Sequence, residues 1–276
     1  MTGMGTLYLV ATPIGNLEDI SQRALRVLSE VQLVAAEDTR RTRKLLQHFS
    51  IETPTISFHE HNKQGRMDQL LAALTSGDVA LVSDAGTPAT SDPGRDLVQE
   101  VWEAGHHVSP IPGPSSPMAA LSVAGMAADS FLFLGYLPRK SSDRKELLVA
   151  RSRDPWTLVA FEVPHRIQES MEDLEEAFGD ERDIVMCREL TKVHEEIIRG
   201  TMSEVRVRLR DVDPRGEYTL VIAGADAEAR WDEDTLRAAV RERVSHGDRP
   251  SDLARELAEL SGWRRRRIYE MTLEEQ

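Results

Sequence analysis

Four times in its first half the chain passes from a short apolar run straight into a loop dense in Gly, Pro, Ser, Thr or charge. TLYLVA (6–11) leads to TPIGN (12–16), and QLVAAE (32–37) leads to EDTRRTR (37–43). DVALVSD (78–84) leads to SDAGTPATSDPG (83–94), and HVSPIPG (107–113) leads to IPGPSSP (111–117). Unbroken apolar runs are the signature of strands buried on both faces, which is how strands of parallel sheets sit. Helical patterns lie between them at 20–31, 39–49, 67–77 and 94–105, with TISF (55–58) as one more short strand. This βαβα rhythm predicts a mostly parallel, helix-covered sheet.

The second half keeps the rhythm with different spacing. FLFLGYL (131–137), WTLVAFE (156–162), DIVMCREL (183–190) and GEYTLVIAG (216–224) read as strands. Stretches 142–152 and 164–178 read as helices, and SEVRVRLRD (203–211) lies between the last two strands. Beyond about residue 226 strand signals stop, and WDEDTLRAAVRERV, PSDLARELAELS and RRRRIYEMTLE read as three short helices. At roughly 150 residues per domain, the 276 residues allow nearly two domains and an appendage. The expected division is 1–125, 126–225 and a helical tail over 226–276, with the first boundary near GMAAD (125–129).

Composition narrows the class. Lys and Arg number 34 against 47 Asp and Glu, a balance of −13, which argues against a protein coated for nucleic acid. The cations are nevertheless grouped, at Arg40, Arg41, Arg43 and Lys44, at Arg139, Lys140, Arg144, Lys145, Arg151 and Arg153, and at Arg264 to Arg267. Such islands suit a local polyanion contact, or are solvated helix faces. The single cysteine, Cys187, permits no internal disulfide and suits a reducing cytoplasm. No apolar run approaches the ~20 residues of a membrane helix, and MTGMGTLYLVATP lacks the basic start of a signal peptide.

In open parallel sheets ligands bind beyond the carboxyl ends of the strands, where all four unusual loops fall. None of them matches G-x-G-x-x-G or G-x-x-x-x-G-K-[ST], so a standard dinucleotide or P-loop site is not supported. His59 and His61 in FHEH flank Glu60, but strand alternation turns Glu60 away from both and no third ligand is in register, so no metal is expected. Ser83 and Ser115 lack a G-x-S-x-G elbow, which removes a hydrolytic nucleophile.

TPIGNLEDIS, AAEDTR, SDAGTPATSDPG, PIPGPSS, FLGYLPRK, FEVPHR, CRELTKVHEE and GEYTLVI occur in this order over residues 6–224. Together they resemble the tetrapyrrole methylase superfamily, and within it the branch that 2′-O-methylates a cytidine of bacterial 16S ribosomal RNA. The forms AFEVPHR and PSSP depart from that branch's usual FYESPHR-like and PSA patterns. The resemblance implies a parallel-sheet domain, a mixed-sheet domain and a small helix-turn-helix-like tail. It also implies S-adenosylmethionine in the cleft between the two sheets, a homodimer, and 16S rRNA of the assembled small ribosomal subunit, in its decoding region, as substrate. The cofactor expectation falls on Pro13, Ile14, Thr87, Pro88, Ala89, Thr90, Ser115 and Ser116, with Phe161, Leu190 and Tyr218 from the second half. A base for the 2′-hydroxyl is sought in Glu37 and Asp84, with Asp38 equally explained as a helix cap. Arg40, Arg43, Arg139, Lys140, His165 and Arg166 are the expected RNA contacts. Two rivals stay open: a small-molecule methylase acting on a tetrapyrrole, and a non-catalytic ribosome-binding module.

Overall fold

The computed structural model describes residues 5–89, 94–210, 214–225, 233–246, 248–261, 263 and 265–274. Strands β1 (Thr6–Val10), β2 (Leu33–Ala36), β3 (Thr55–Ser57), β4 (Val79–Val82) and β5 (His107–Ile111) form a wholly parallel sheet in the order β3-β2-β4-β1-β5. Helices α1 (Gln22–Glu30) and α2 (Thr39–His48) cover one face, and α3 (Lys63–Leu74) and α4 (Gly94–Glu103) contribute to the core on the other. Alternation along β4 shows the division. Ala80 and Val82 join Val27, Leu28 and Leu46 on one side, while Val79 and Leu81 join Leu70, Leu74, Leu97 and Val101 on the other. Each fully buried Leu or Val of this kind contributes about 1.5–3 kcal/mol relative to exposure.

Helix α5 (Ser116–Ala124) leaves β5 and joins the two sheets. The second sheet comprises β6 (Phe131–Tyr136), β7 (Thr157–Glu162), β8 (Asp183–Arg188), β9 (Glu196–Thr201) and β10 (Tyr218–Ile222), in the order β6-β7-β10-β8-β9. Only β6 and β7 run parallel, so the sheet is mixed. Leu158, Ala160, Met186 and Leu220 face the helices α6 (Ser141–Arg151), α7 (Ile167–Phe178) and α8 (Met202–Leu209). Val159, Val185, Cys187 and Val221 face the other way, packing on Ala120, Leu121 and Ala124 of α5 and on Ile14 from the loop after β1. One apolar cluster therefore ties the first sheet's loops to the second sheet.

One element departs from expectation: β9, an edge strand whose short sequence EIIRGT mixes buried Ile198 with charged and half-buried residues and so carries no clear strand pattern. The segment 203–211 falls largely in α8, which is fixed by a reciprocal cap between Thr201 and Glu204. The tail forms α9 (Glu233–Ser245), α10 (Pro250–Ser261) and α11 (Arg265–Glu274) around its own core of Leu236, Val240, Leu253, Leu257, Ile268 and Met271.

Candidate active site

Strands β1 and β4 are neighbours whose outgoing connections leave in opposite directions, so a crevice opens at their carboxyl ends. The loops there are bonded to one another. Thr12 N–H donates to the Gly86 carbonyl at 2.9 Å and Gly86 N–H returns a bond to Thr12 at 3.0 Å. The Thr12 hydroxyl reaches the Ser83 carbonyl at 3.3 Å, and the Thr87 hydroxyl reaches that of Pro114 at 3.3 Å. Gly86 sits at φ +81 between Ile14 and Pro114, a backbone region open to glycine. Ala89 holds φ +64 without that freedom, a strain of the kind stored at ligand sites.

The carboxylates form a second tier. Asp84 Oδ1 accepts the Asp38 N–H at 3.0 Å, and Glu37 Oε2 accepts the Asp84 N–H at 3.3 Å. Arg41 lies 3.4 Å from Asp84 Oδ2, and the Asp84 side chain is 28% exposed. Asp38 is the cap of α2. It accepts the Arg40 N–H at 2.8 Å, and the Arg40 guanidinium beside it holds its carboxyl well below the usual carboxylate range. Asp84 thus faces the crevice, while Glu37 stands behind it, bordering a separate small recess with Phe58, Pro88 and Gly94.

A cavity of about 240 Å³ opens beside them, lined by Thr12, Pro13, Arg41, Lys44, Ser83 and Asp84 among others. Arg41, Lys44 and Leu45 share one face of α2 by helical spacing, and that face borders the cavity. The expected contacts Arg40 and Arg43 lie on other faces. Arg40 turns to Asp38 at 2.7 Å, and Arg43 Nε donates to Thr55 Oγ1 at 3.1 Å.

On the second wall, Gly15 lies so close to the loop after β8 that an added Cβ would stand 2.9 Å from the Leu190 carbonyl. Leu190 is buried there, flanked by Glu189 and Thr191, both at positive φ. Ile14 and Leu190 share the inter-sheet cluster, whose Cys187 thiol is pushed up to about 12 by burial and stays protonated. Phe161 is half-buried, its ring 5.1 Å from that of Phe133 and 5.3 Å from that of Tyr136. Tyr218, expected at the cofactor site, is instead fully buried on the opposite face of this sheet with Leu220 and Ile222, because alternation along β10 turns it toward the helices. Ser115 and Ser116 open α5 half-buried, and Ser115 makes no capping bond with its hydroxyl. Pro88 is buried, whereas Thr90 lies outside the described residues.

The remaining cations divide sharply. Arg139, Lys140 and His165 are exposed. Arg166 is not: its guanidinium lies 2.6 Å from Glu162 Oε1, a fully buried carboxylate, and also donates to the Leu137 carbonyl at 3.2 Å. Sequence reasoning placed Arg41 and Lys44 in a basic island without naming them as site residues, and did not single out Tyr136. The helical phase of α2, set by buried Thr42 and Leu46, points to the first two. Among the described residues no three His, Cys, Asp or Glu side chains gather as a metal site, and no helix is long and apolar enough to cross a membrane.

A parallel sheet whose bonded loops face a mixed sheet across a cleft matches known architectures. The solved uroporphyrin-III-C-methyltransferase from Thermus thermophilus superposes with a TM-score of 0.55 at 21% identity, over 79% of this chain and 94% of that one. A diphthine synthase superposes with a TM-score of 0.60 at 16% identity, over 79% and 90%. The model of the tetrapyrrole (corrin/porphyrin) methylases matches residues 6–206, and the chain belongs to that family. It is a methyltransferase. Its curated relatives are more particular. "Ribosomal RNA small subunit methyltransferase I" of Synechocystis sp. is 47% identical over 98% of both chains. The proteins of the same name from Pseudomonas aeruginosa and Escherichia coli O157:H7 are 44% and 43% identical, over 99% of this chain and 98% and 96% of theirs.

Proposed function

We propose that the chain transfers a methyl group from S-adenosylmethionine to the ribose 2′-oxygen of a cytidine in 16S rRNA, in the decoding region of the assembled small ribosomal subunit. The observation that carries this reading is Asp84, which lines a crevice with a basic rim and whose backbone N–H is held by the neighbouring Glu37 carboxylate. The names of the full-length relatives support the RNA substrate over a tetrapyrrole. Residues 1–125 and 126–225 act as the two walls, 226–276 as a docking appendage, in a cytoplasmic homodimer.

The residues present fit the cofactor. Gly15 and Gly113 let these loops close on one another, since an added Cβ would stand 2.9 Å from the Leu190 carbonyl and 3.0 Å from Ala11 Cβ respectively. The loops carry hydroxyls and backbone groups in place of a phosphate cradle, which suits a nucleoside that bears no phosphate. Pro13, Ile14, Thr87, Pro88, Ala89, Ser115 and Ser116 hold it from the first wall, with Phe161 and Leu190 shaping the second. When bound, S-adenosylmethionine supplies an electrophilic sulfonium methyl group. The chain supplies position, which accounts for much of the rate in a displacement of this kind. Asp84 or Glu37 accepts the hydroxyl proton, while Arg41 and Lys44 hold flanking phosphates.

The test is transfer of labelled methyl to unmethylated small subunits, compared with naked 16S rRNA and followed by mass spectrometry of nuclease fragments. The expected result is 2′-O-methylcytidine on subunits. Cofactor binding without RNA label, with methylation of a tetrapyrrole, would overturn the reading.

A further inference from the structure

Strands β6 and β7 pair in parallel register as Phe131 with Thr157, Leu132 with Leu158 and Phe133 with Val159. The register then shifts, and Tyr136 pairs with Phe161, so β6 carries one residue more than β7 over this interval. Gly135 takes φ +66 at the bulge. The consequence is a change of face. In unbroken alternation residue 135 would stand beside Phe161 and Tyr136 would point to the opposite side. The bulge instead puts Tyr136 with Phe133 and Phe161, on the side that faces α5 and the loops of the first sheet.

Tyr136 is 56% exposed, although its ring leans on Phe161. Burial, then the charges of Glu217, Glu37 and Glu162, hold its phenol above its ordinary value.

The segment that follows is held rigidly. Leu137 N–H donates to the Phe161 carbonyl at 3.2 Å. The carbonyls of Leu137 and Pro138 accept Arg166 at 3.2 Å and Arg144 at 3.1 Å. Both guanidiniums are themselves fixed by buried carboxylates, Arg166 by Glu162 at 2.6 Å and the fully buried Arg144 by Asp173 at 2.5 Å. Arg139 and Lys140 come next, exposed and without a carboxylate partner among the described residues. In a chain of charge −13, where many described cations sit beside acids, two adjacent exposed cations on a braced loop suit an anion from outside.

We propose that Tyr136 is the stacking platform for the target nucleobase, and that Arg139 and Lys140 hold the phosphates beside it. This rests on the reading of the substrate as an RNA nucleotide. An open aromatic face beside the crevice offers a single-stranded base a stacking surface, as aromatic side chains do in RNA-binding grooves. A cationic sulfonium cofactor has no reason to lie beside two unpaired cations, whereas a nucleic-acid backbone does.

The experiment measures Tyr136→Ala and Tyr136→Phe for methylation of small subunits, for cofactor affinity by calorimetry and for melting temperature. Tyr136→Ala is expected to raise the subunit KM about 10- to 100-fold, with cofactor affinity and melting unchanged. Tyr136→Phe keeps the ring and retains the wild-type KM. The double variant Arg139→Ala/Lys140→Ala is expected to lower the slope of log affinity against log salt by about 2. An unchanged subunit KM in Tyr136→Ala, a parallel loss of cofactor affinity, or an equal defect in Tyr136→Phe would each overturn the stacking role. If the wild-type chain labels no RNA at all, the underlying reading fails and the platform falls with it. If only the variant result fails, the RNA reading stands without Tyr136.

Discussion

The two walls of the cleft hold their loops still by different physical means. On the first wall, loops at the ends of parallel strands bond to each other through backbone groups, at Thr12 and Gly86, and through partly exposed acceptors, at Asp84 and Glu37. On the second, backbone carbonyls are tied by guanidiniums whose carboxylate partners are buried, Glu162 and Asp173. The positioning groups of the first wall are therefore also available for chemistry, whereas those of the second are sealed from substrate. A charged residue in a distinctive motif can belong to either kind. Arg139 and Arg166 both follow strands at the cleft, yet one is open to solvent and the other is 11% exposed.

The largest test of this contrast is Asp84→Asn. The amide keeps an oxygen for the Asp38 N–H and loses the charge, so methyl transfer is expected to fall about 100- to 10,000-fold with cofactor affinity retained. Single-turnover rates on small subunits read the effect. A loss under tenfold, with Glu37→Gln equally mild, would mean that no first-wall carboxylate takes the proton.

The corresponding cut in the second wall is Arg166→Met. It leaves Glu162 charged, unpaired and buried, at an expected cost of about 3–5 kcal/mol of stability. Denaturant unfolding measures this, and adding Glu162→Gln is expected to restore part of the loss, because no buried charge then remains. If Arg166→Met melts like the wild type and instead weakens subunit binding with a lower salt slope, Arg166 contacts RNA and the distinction between the walls is lost.

The sequence displayed the first wall far better than the second. Strands such as VALV and LVAA are buried on both faces, so their apolar runs and the loops that end them could be read directly. The carboxylates Glu37 and Asp84 lie where those runs stop, and the Asp84 N–H is bonded to Glu37 there. In the second wall the decisive facts are pairings between distant residues. The bulge that turns Tyr136 depends on how β6 registers with β7, and the burial of Arg166 depends on Glu162 and on the helix packed behind it. Local pattern carries neither. The segment SEVRVRLRD, given no element type by its alternation, falls largely in α8 through the Thr201–Glu204 cap.

The smallest effects separate the cations of α2 from one another and from those of the tail. Arg41→Ala and Lys44→Ala, at the cavity rim, are each expected to reduce the salt slope of subunit binding by about 1. Arg40→Ala and Arg43→Ala are expected to leave it unchanged, because these side chains point to Asp38 and Thr55. Arg267→Ala is expected to do as little, since Arg267 lies within 3.8 Å of Glu233, Glu270 and Glu274 and its charge is already balanced inside the tail. Exposed pairs of this sort contribute roughly 0–1 kcal/mol, so none of these variants should unfold the protein and the slopes can be compared directly. A reduced slope in Arg40→Ala and Arg43→Ala, with none in Arg41→Ala and Lys44→Ala, would mean that RNA approaches α2 from the side away from the cavity. The carboxylate floor and the basic rim would then serve different ligands, and the first wall would have to be reassigned to cofactor binding alone.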